Sequence, residues 1–120
     1  MKKEYNNLRE ICMDKDKIKK QIITQEEQDE ITLLFKTMGD STRFTIIVAL
    51  FEAELSVTEL TKVTGMNQSA VSHQLRVLKE QDIVRFKKQG KKRIYYLADH
   101  HIKTLYELAL AHIREEKHES

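Results

Sequence analysis

A mostly α fold carrying a small β-hairpin is predicted by three observations. The 120 residues contain no proline and only three glycines, so helical stretches run with few breaks. Apolar residues recur at helical spacing, in separately capped segments, from Thr24 to Gln81. From Ile83 to Leu97, runs of β-branched and aromatic residues flank KKQGKK, which reads as a hairpin turning at Gly90.

Each element has a local reason. Residues 1–23 are polar with scattered Ile and Leu and are expected to form an N-terminal arm or an extra helix. Residues 24–120 are expected to form the folded domain. Thr24 opens a helix, with Glu26 and Glu27 where the helix dipole favours acids. Ile31, Leu34, Phe35 and Met38 follow at helical spacing, and Gly39 stops the helix. Asp40 or Ser41 caps the next helix. Its Phe44, Ile46, Ile47, Val48, Leu50 and Phe51 make it apolar on most sides, as for a buried helix.

Ser56 and Glu59 then form a capping-box pattern for a short helix carrying Leu60 and Val63 and ending at Gly65. Asn67 caps QSAVSHQLRVLKEQ, whose inner face is Val71, Leu75 and Leu78. Two short helices across a tight glycine-containing turn make a helix-turn-helix, and a basic hairpin directly after it makes a winged helix-turn-helix. The last segment, from Asp99, is a helix with Leu105, Leu108 and Ala109 on one side.

Composition narrows the function. Net charge is only +2, yet six cations and no acid lie between Ile83 and Arg93. The single cysteine, Cys12, excludes an internal disulfide and a cysteine-cluster metal site within one chain. No leader-like segment and no apolar run of roughly 20 residues is present, so a cytoplasmic protein without a membrane partner is expected. Aromatics at 7% with no Trp make a lean core and favour dimerisation. No nucleophile–base pair and no phosphate loop appears, so an enzyme is not expected.

The winged helix points to DNA. The exposed face of the second short helix offers Gln68, Ser69, Ser72, His73 and Arg76, polar groups able to meet phosphates and base edges in the major groove. Small Ser69 and Ala70 allow close approach of the helix N-terminus, which itself favours phosphate. Lys87, Lys88, Lys91, Lys92 and Arg93 of the hairpin would meet the backbone, so affinity should fall with salt as counterions are released.

The stretch MNQSAVSHQLRVLKEQDIVRFKKQGKKRIYYLADHHI resembles the ArsR/SmtB family of bacterial metal-responsive repressors, over roughly residues 26 to 116. The resemblance implies a homodimeric winged helix that represses genes for metal efflux or sequestration. It also implies that metal binding weakens its hold on operator DNA. Thiol-rich members place cysteines in a motif similar to Glu-Leu-Cys-x-Cys. Here that stretch is Glu59, Leu60, Thr61, Lys62, Val63, so the thiol site is absent, and Cys12 in the arm lacks soft partners.

The terminal helix supplies a different donor set. His101 and His112 are 11 residues apart, within about 20° of one helical face but separated by about 16 Å along the axis. Ligand bonds near 2 Å forbid one ion from reaching both. An antiparallel second copy brings His101 of one chain opposite His112 of the other and creates two equal sites by symmetry.

Glu115 lies one turn beyond His112, and Asp99, at the helix start, is free to adopt a cap conformation and turn toward the ion. The expected set is Asp99 and His101 from one subunit with His112 and Glu115 from its partner, binding two Zn(II) per dimer, with Co(II) as a surrogate. The resemblance implies the same four positions, since zinc-sensing members use an Asp-x-His…His-x-x-Glu/His pattern. His100 is off this face and expected to be exposed; His118 is an alternative ligand near the chain end.

Two rivals stand beside the zinc-released repressor. One is a winged-helix repressor with a vestigial metal site and another inducer or none. The other is a small zinc enzyme or zinc store. Four protein ligands leave no position for reactive water, which disfavours the enzyme.

Overall fold

The computed structural model describes residues 15–119, with side chains described except at 20, 21 and 116–119. Cys12 and most of the expected arm lie outside the described residues, as does the side chain of His118. The elements are α1 (Lys15–Gln21), α2 (Gln25–Met38), α3 (Ser41–Glu52), β1 (Leu55–Ser56), α4 (Val57–Thr64), α5 (Gln68–Glu80), β2 (Val84–Gln89), β3 (Lys92–Leu97) and α6 (His101–Glu119). Two compact units divide after Phe35.

In the first unit, a short helix, α1, occupies part of the segment expected as an arm or helix. Helix α2 opens with a reciprocal cap. The Glu27 N–H donates to Thr24 Oγ1 at 3.1 Å, and the Thr24 N–H donates to Glu27 Oε1 at 2.9 Å.

The second unit holds the helix-turn-helix and the wing. Asp40 caps α3, accepting from the Arg43 N–H at 3.0 Å. Both halves of the Ser56–Glu59 capping box form at α4. Gly65 then takes φ 75°, a left-handed conformation that closes α4 through its N–H to the Thr61 carbonyl. Asn67 caps α5 through the Ala70 N–H at 2.8 Å.

Helix α5 ends in a turn that no glycine marks. Asp82 has φ 55°, and the Ile83 N–H bonds back to the Leu78 carbonyl. The Asp82 carboxylate accepts two bonds from the Arg85 guanidinium, each 2.9 Å, so one residue ends the helix and anchors β2.

The sheet has three antiparallel strands in the order β1-β3-β2. The β2–β3 hairpin pairs Val84 with Leu97 through Gln89 with Lys92, and Gly90 turns it at φ 66°. The sequence reading found this hairpin but not β1. Two residues are too few for alternation to show, and Leu55–Ser56 becomes a strand only by pairing with Tyr95 and Ile94.

The core lies where α3, α4 and α5 meet the sheet: Ile46, Ile47, Leu60, Val71, Leu75, Leu78, Ile83 and Val84 are almost wholly buried. Burial of each such side chain is worth about 1.5–3 kcal/mol. Val63, carried with Leu60 on α4, is instead 64% exposed, so the short helix contributes one core residue.

Candidate functional site

Helix α5 sorts its residues by face. Val71, Leu75 and Leu78 point inward, while Gln68, Ser69, Ser72, His73 and Arg76 are all exposed. The caps and the αL glycine hold α4 and α5 at a fixed turn, so the polar face of α5 is presented as a rigid surface.

The wing places Lys87, Lys88, Lys91, Lys92 and Arg93 on strands and turn, all exposed. They are not equivalent. Lys87 Nζ lies 2.6 Å from Glu54 Oε1, and this contact raises the Lys87 pKa. The Arg93 guanidinium lies over the Phe86 ring, 4.6 Å from its centroid, and Lys79 Nζ lies 4.5 Å from the same centroid. Lys79 and Phe86 were absent from the sequence expectation. The spacing of Lys79, three residues after Arg76 on the exposed side of α5, was the available signal. Nothing local marks Phe86, whose role comes from pairing across the sheet with Tyr95.

The second donor set lies at the end of the chain. Asp99 precedes α6 in an Asx turn, with Oδ1 accepting from the His101 N–H at 2.9 Å. The same oxygen lies 3.1 Å from His101 Nδ1. The backbone N–H of His101, followed by its ring, holds the Asp99 carboxyl below its ordinary pKa. Thus Asp99 and His101 are together and the acid favours its ligating, ionised form. His100 is exposed, its ring 4.3 Å from that of His101.

His112 and Glu115 are exposed farther along α6. The helical rise keeps His112 about 16 Å and Glu115 about 21 Å along the axis from His101. Among the described residues of one chain, no three His, Cys, Asp or Glu side chains gather to hold a metal.

The faces of α6 explain the arrangement. Ile102 is buried, and the Tyr106 ring packs on Phe44 and Phe51 of α3, with centroids 5.9 and 4.8 Å apart. At about 100° per residue, His101, Leu105, Leu108, His112 and Glu115 fall within about 40° of one line, and that line lies about 100–140° round the helix from Ile102 and Tyr106. Leu108 on this line is 64% exposed. A leucine between two polar donor pairs therefore faces outward. The donors are two imidazoles and two carboxylates, all nitrogen and oxygen, a set that fits Zn(II).

Comparison with known proteins agrees with the fold. The model of the bacterial regulatory protein arsR family matches residues 40–85, from the cap of α3 to the first strand of the wing. A transcriptional repressor SmtB homolog from Synechocystis is 31% identical over 98 residues, 82% of this chain and 74% of that protein. A cadmium resistance transcriptional regulatory protein CadC homolog from Staphylococcus aureus is 36% identical, covering 83% of each. The crystal structure of the antimony-specific repressor AntR superposes with a TM-score of 0.71 at 34% identity, over 81% of this chain and 88% of that one.

This chain belongs to the ArsR/SmtB family of metal-responsive, winged helix-turn-helix transcriptional repressors, and it is not an enzyme. Among the described residues, no helix is long and apolar enough to cross a membrane.

Proposed function

We propose that the chain is a Zn(II)-responsive repressor that holds double-stranded operator DNA as an apo homodimer. It releases the DNA when Asp99 and His101 of one subunit, with His112 and Glu115 of the partner subunit, ligate the ion. The supporting observation is the outward line on α6, with nitrogen and oxygen donors at both ends and exposed Leu108 between them. Two such helices laid antiparallel bury the leucines and complete two symmetric four-ligand sites.

The relatives' names include cadmium and antimony, so family membership leaves the metal open. The choice of zinc rests on this chain's donors. Thr61 and Val63 stand where thiol-sensing members carry cysteine, and the α6 set has no sulfur.

In the DNA-bound state, Gln68, Ser69, Ser72, His73 and Arg76 of α5 enter the major groove. The wing, with Lys87, Lys88, Lys91, Lys92 and Arg93, follows the backbone. Ligation across α6 favours a dimer geometry or stiffness poorly matched to DNA. A switch from 99:1 bound to 1:99 needs about 5.5 kcal/mol of differential affinity, nearly 3 kcal/mol for each of two sites. That is the upper end of ordinary coupling and attainable for a metal.

The test is a binding titration on a duplex selected by the apo protein from a random pool, with and without Zn(II), for wild type and His112→Ala. Zinc should lower wild-type affinity at least about tenfold and leave the variant unchanged. Unchanged wild-type affinity at saturating zinc would favour the repressor with a vestigial site.

A further inference from the structure

The recognition helix and the wing share a basic cleft of about 290 Å³, lined in part by Ser72, Arg76 and Lys79 of α5 and by Arg93 and Tyr95 of β3. No acid lines it. Lys79 and Arg93 come from different elements yet converge on one aromatic ring, with charges 4.5 and 4.6 Å from the Phe86 centroid. Neither has a carboxylate partner among the described residues. Phe86 is itself fixed, paired with Tyr95 in register and packed on its ring at 5.5 Å, and Tyr95 is buried.

Gathering two like charges without an acid costs repulsion, which the negative face of the ring offsets in part. A guanidinium stacked on a ring is also held in one plane, so its N–H groups point in set directions. An anion placed in the cleft would meet Lys79 and Arg93 already oriented, with Arg76 on the same lining, and so with less of the ordering cost that free side chains incur. Cations that converge from two elements on an acid-free cleft suit a phosphodiester of DNA lying between recognition helix and wing.

We propose that Phe86 is a positioning residue for DNA: its ring holds Lys79 and Arg93 so that α5 and the wing present one preformed phosphate cradle with Arg76 and Ser72. Phe86 itself touches no phosphate. This rests on the DNA-binding reading of the α5 and wing surface, and it is independent of the metal.

The experiment uses the full chain and a fluorescent duplex of random sequence, with binding measured by anisotropy across a salt series. Phe86→Leu should weaken binding about tenfold while leaving the slope of log affinity against log salt unchanged, since the charges remain. Phe86→Tyr should restore wild-type affinity. Arg93→Lys, an exposed change that keeps the charge and loses the stacking plane, should weaken binding several-fold at constant slope. Lys79→Gln and Arg93→Gln should each flatten the slope by about 0.9, one phosphate contact apiece.

Wild-type affinity in both Phe86→Leu and Arg93→Lys overturns the positioning role. Unchanged slopes in both Gln variants overturn the cradle. If thermal melting shows Phe86→Leu unfolded, the two Arg93 variants decide alone. Lys91→Gln at the wing tip separates the levels: a flattened slope there with unchanged slopes in Lys79→Gln and Arg93→Gln leaves the DNA reading standing and removes the cradle. Salt-independent binding by the wild type overturns both.

Discussion

Ser56 and Glu59 are the residues whose local chemistry is most exposed to test. Ser56 is buried and receives the Glu59 N–H at 3.2 Å, while Glu59 Oε1 receives the Ser56 N–H at 2.9 Å. Loss of the hydroxyl in Ser56→Ala should cost about 1 kcal/mol, read from the urea midpoint. The bond from the Ser56 N–H, then that with the Ser56 side chain, lowers the Glu59 pKa. A carboxylate that is harder to protonate folded than unfolded stabilises fully above the ordinary Glu value near 4.3. That contribution disappears as pH falls through the lower folded value. Glu59→Gln should therefore be less stable than wild type near about pH 7 and flatten the curve in that acid window, the two proteins converging as pH falls. A parallel pair of curves for variant and wild type would contradict the cap's share in acid stability.

At the scale of elements, the wing depends on its turn and α5 on its buried face. Gly90 has φ 66°, and a Cβ built there would meet nothing within 4 Å. The cost of Gly90→Ala is then backbone strain alone, about 1 kcal/mol, and Gly90→Asn should be milder because Asn tolerates the left-handed region. Equal melting temperatures for Ala and Asn variants would contradict that assignment. Leu75 on α5 is 1% exposed, so Leu75→Ala should cost about 2–5 kcal/mol in denaturant unfolding. DNA affinity would be lost with the fold rather than through any contact.

At the scale of the whole molecule, a single chain leaves large apolar side chains in water. Ile31, Leu33 and Phe35 of α2 and Leu108 and Ile113 of α6 are each more than 40% exposed. Leu108 lies between the proposed ligands, so Leu108→Glu places two carboxylates at the centre of the antiparallel contact. Sedimentation should show this variant as a folded monomer, and it should bind zinc far more weakly than wild type although all four ligands remain. Tight zinc binding by that monomer would contradict the shared site. Wild-type protein should lose zinc-dependent release on addition of a chelator and regain it with Zn(II) or Co(II).

The helices, their caps, the helix-turn-helix and the wing were legible along the chain because each is written in neighbours. Capping pairs lie three residues apart, helix faces repeat every three or four, and the hairpin is marked by its glycine. The 11-residue interval between His101 and His112 likewise placed both on one face and too far apart for one ion. Tertiary structure alone decided what depends on distant partners. Strand β1 exists through β3, and Val63 faces solvent because α4 has one inner side. The wing cations divide because Glu54 takes Lys87 and Phe86 takes Arg93 together with Lys79 of α5. Such contacts join residues far apart in sequence, where no local period carries the information, and only packing brings them within reach.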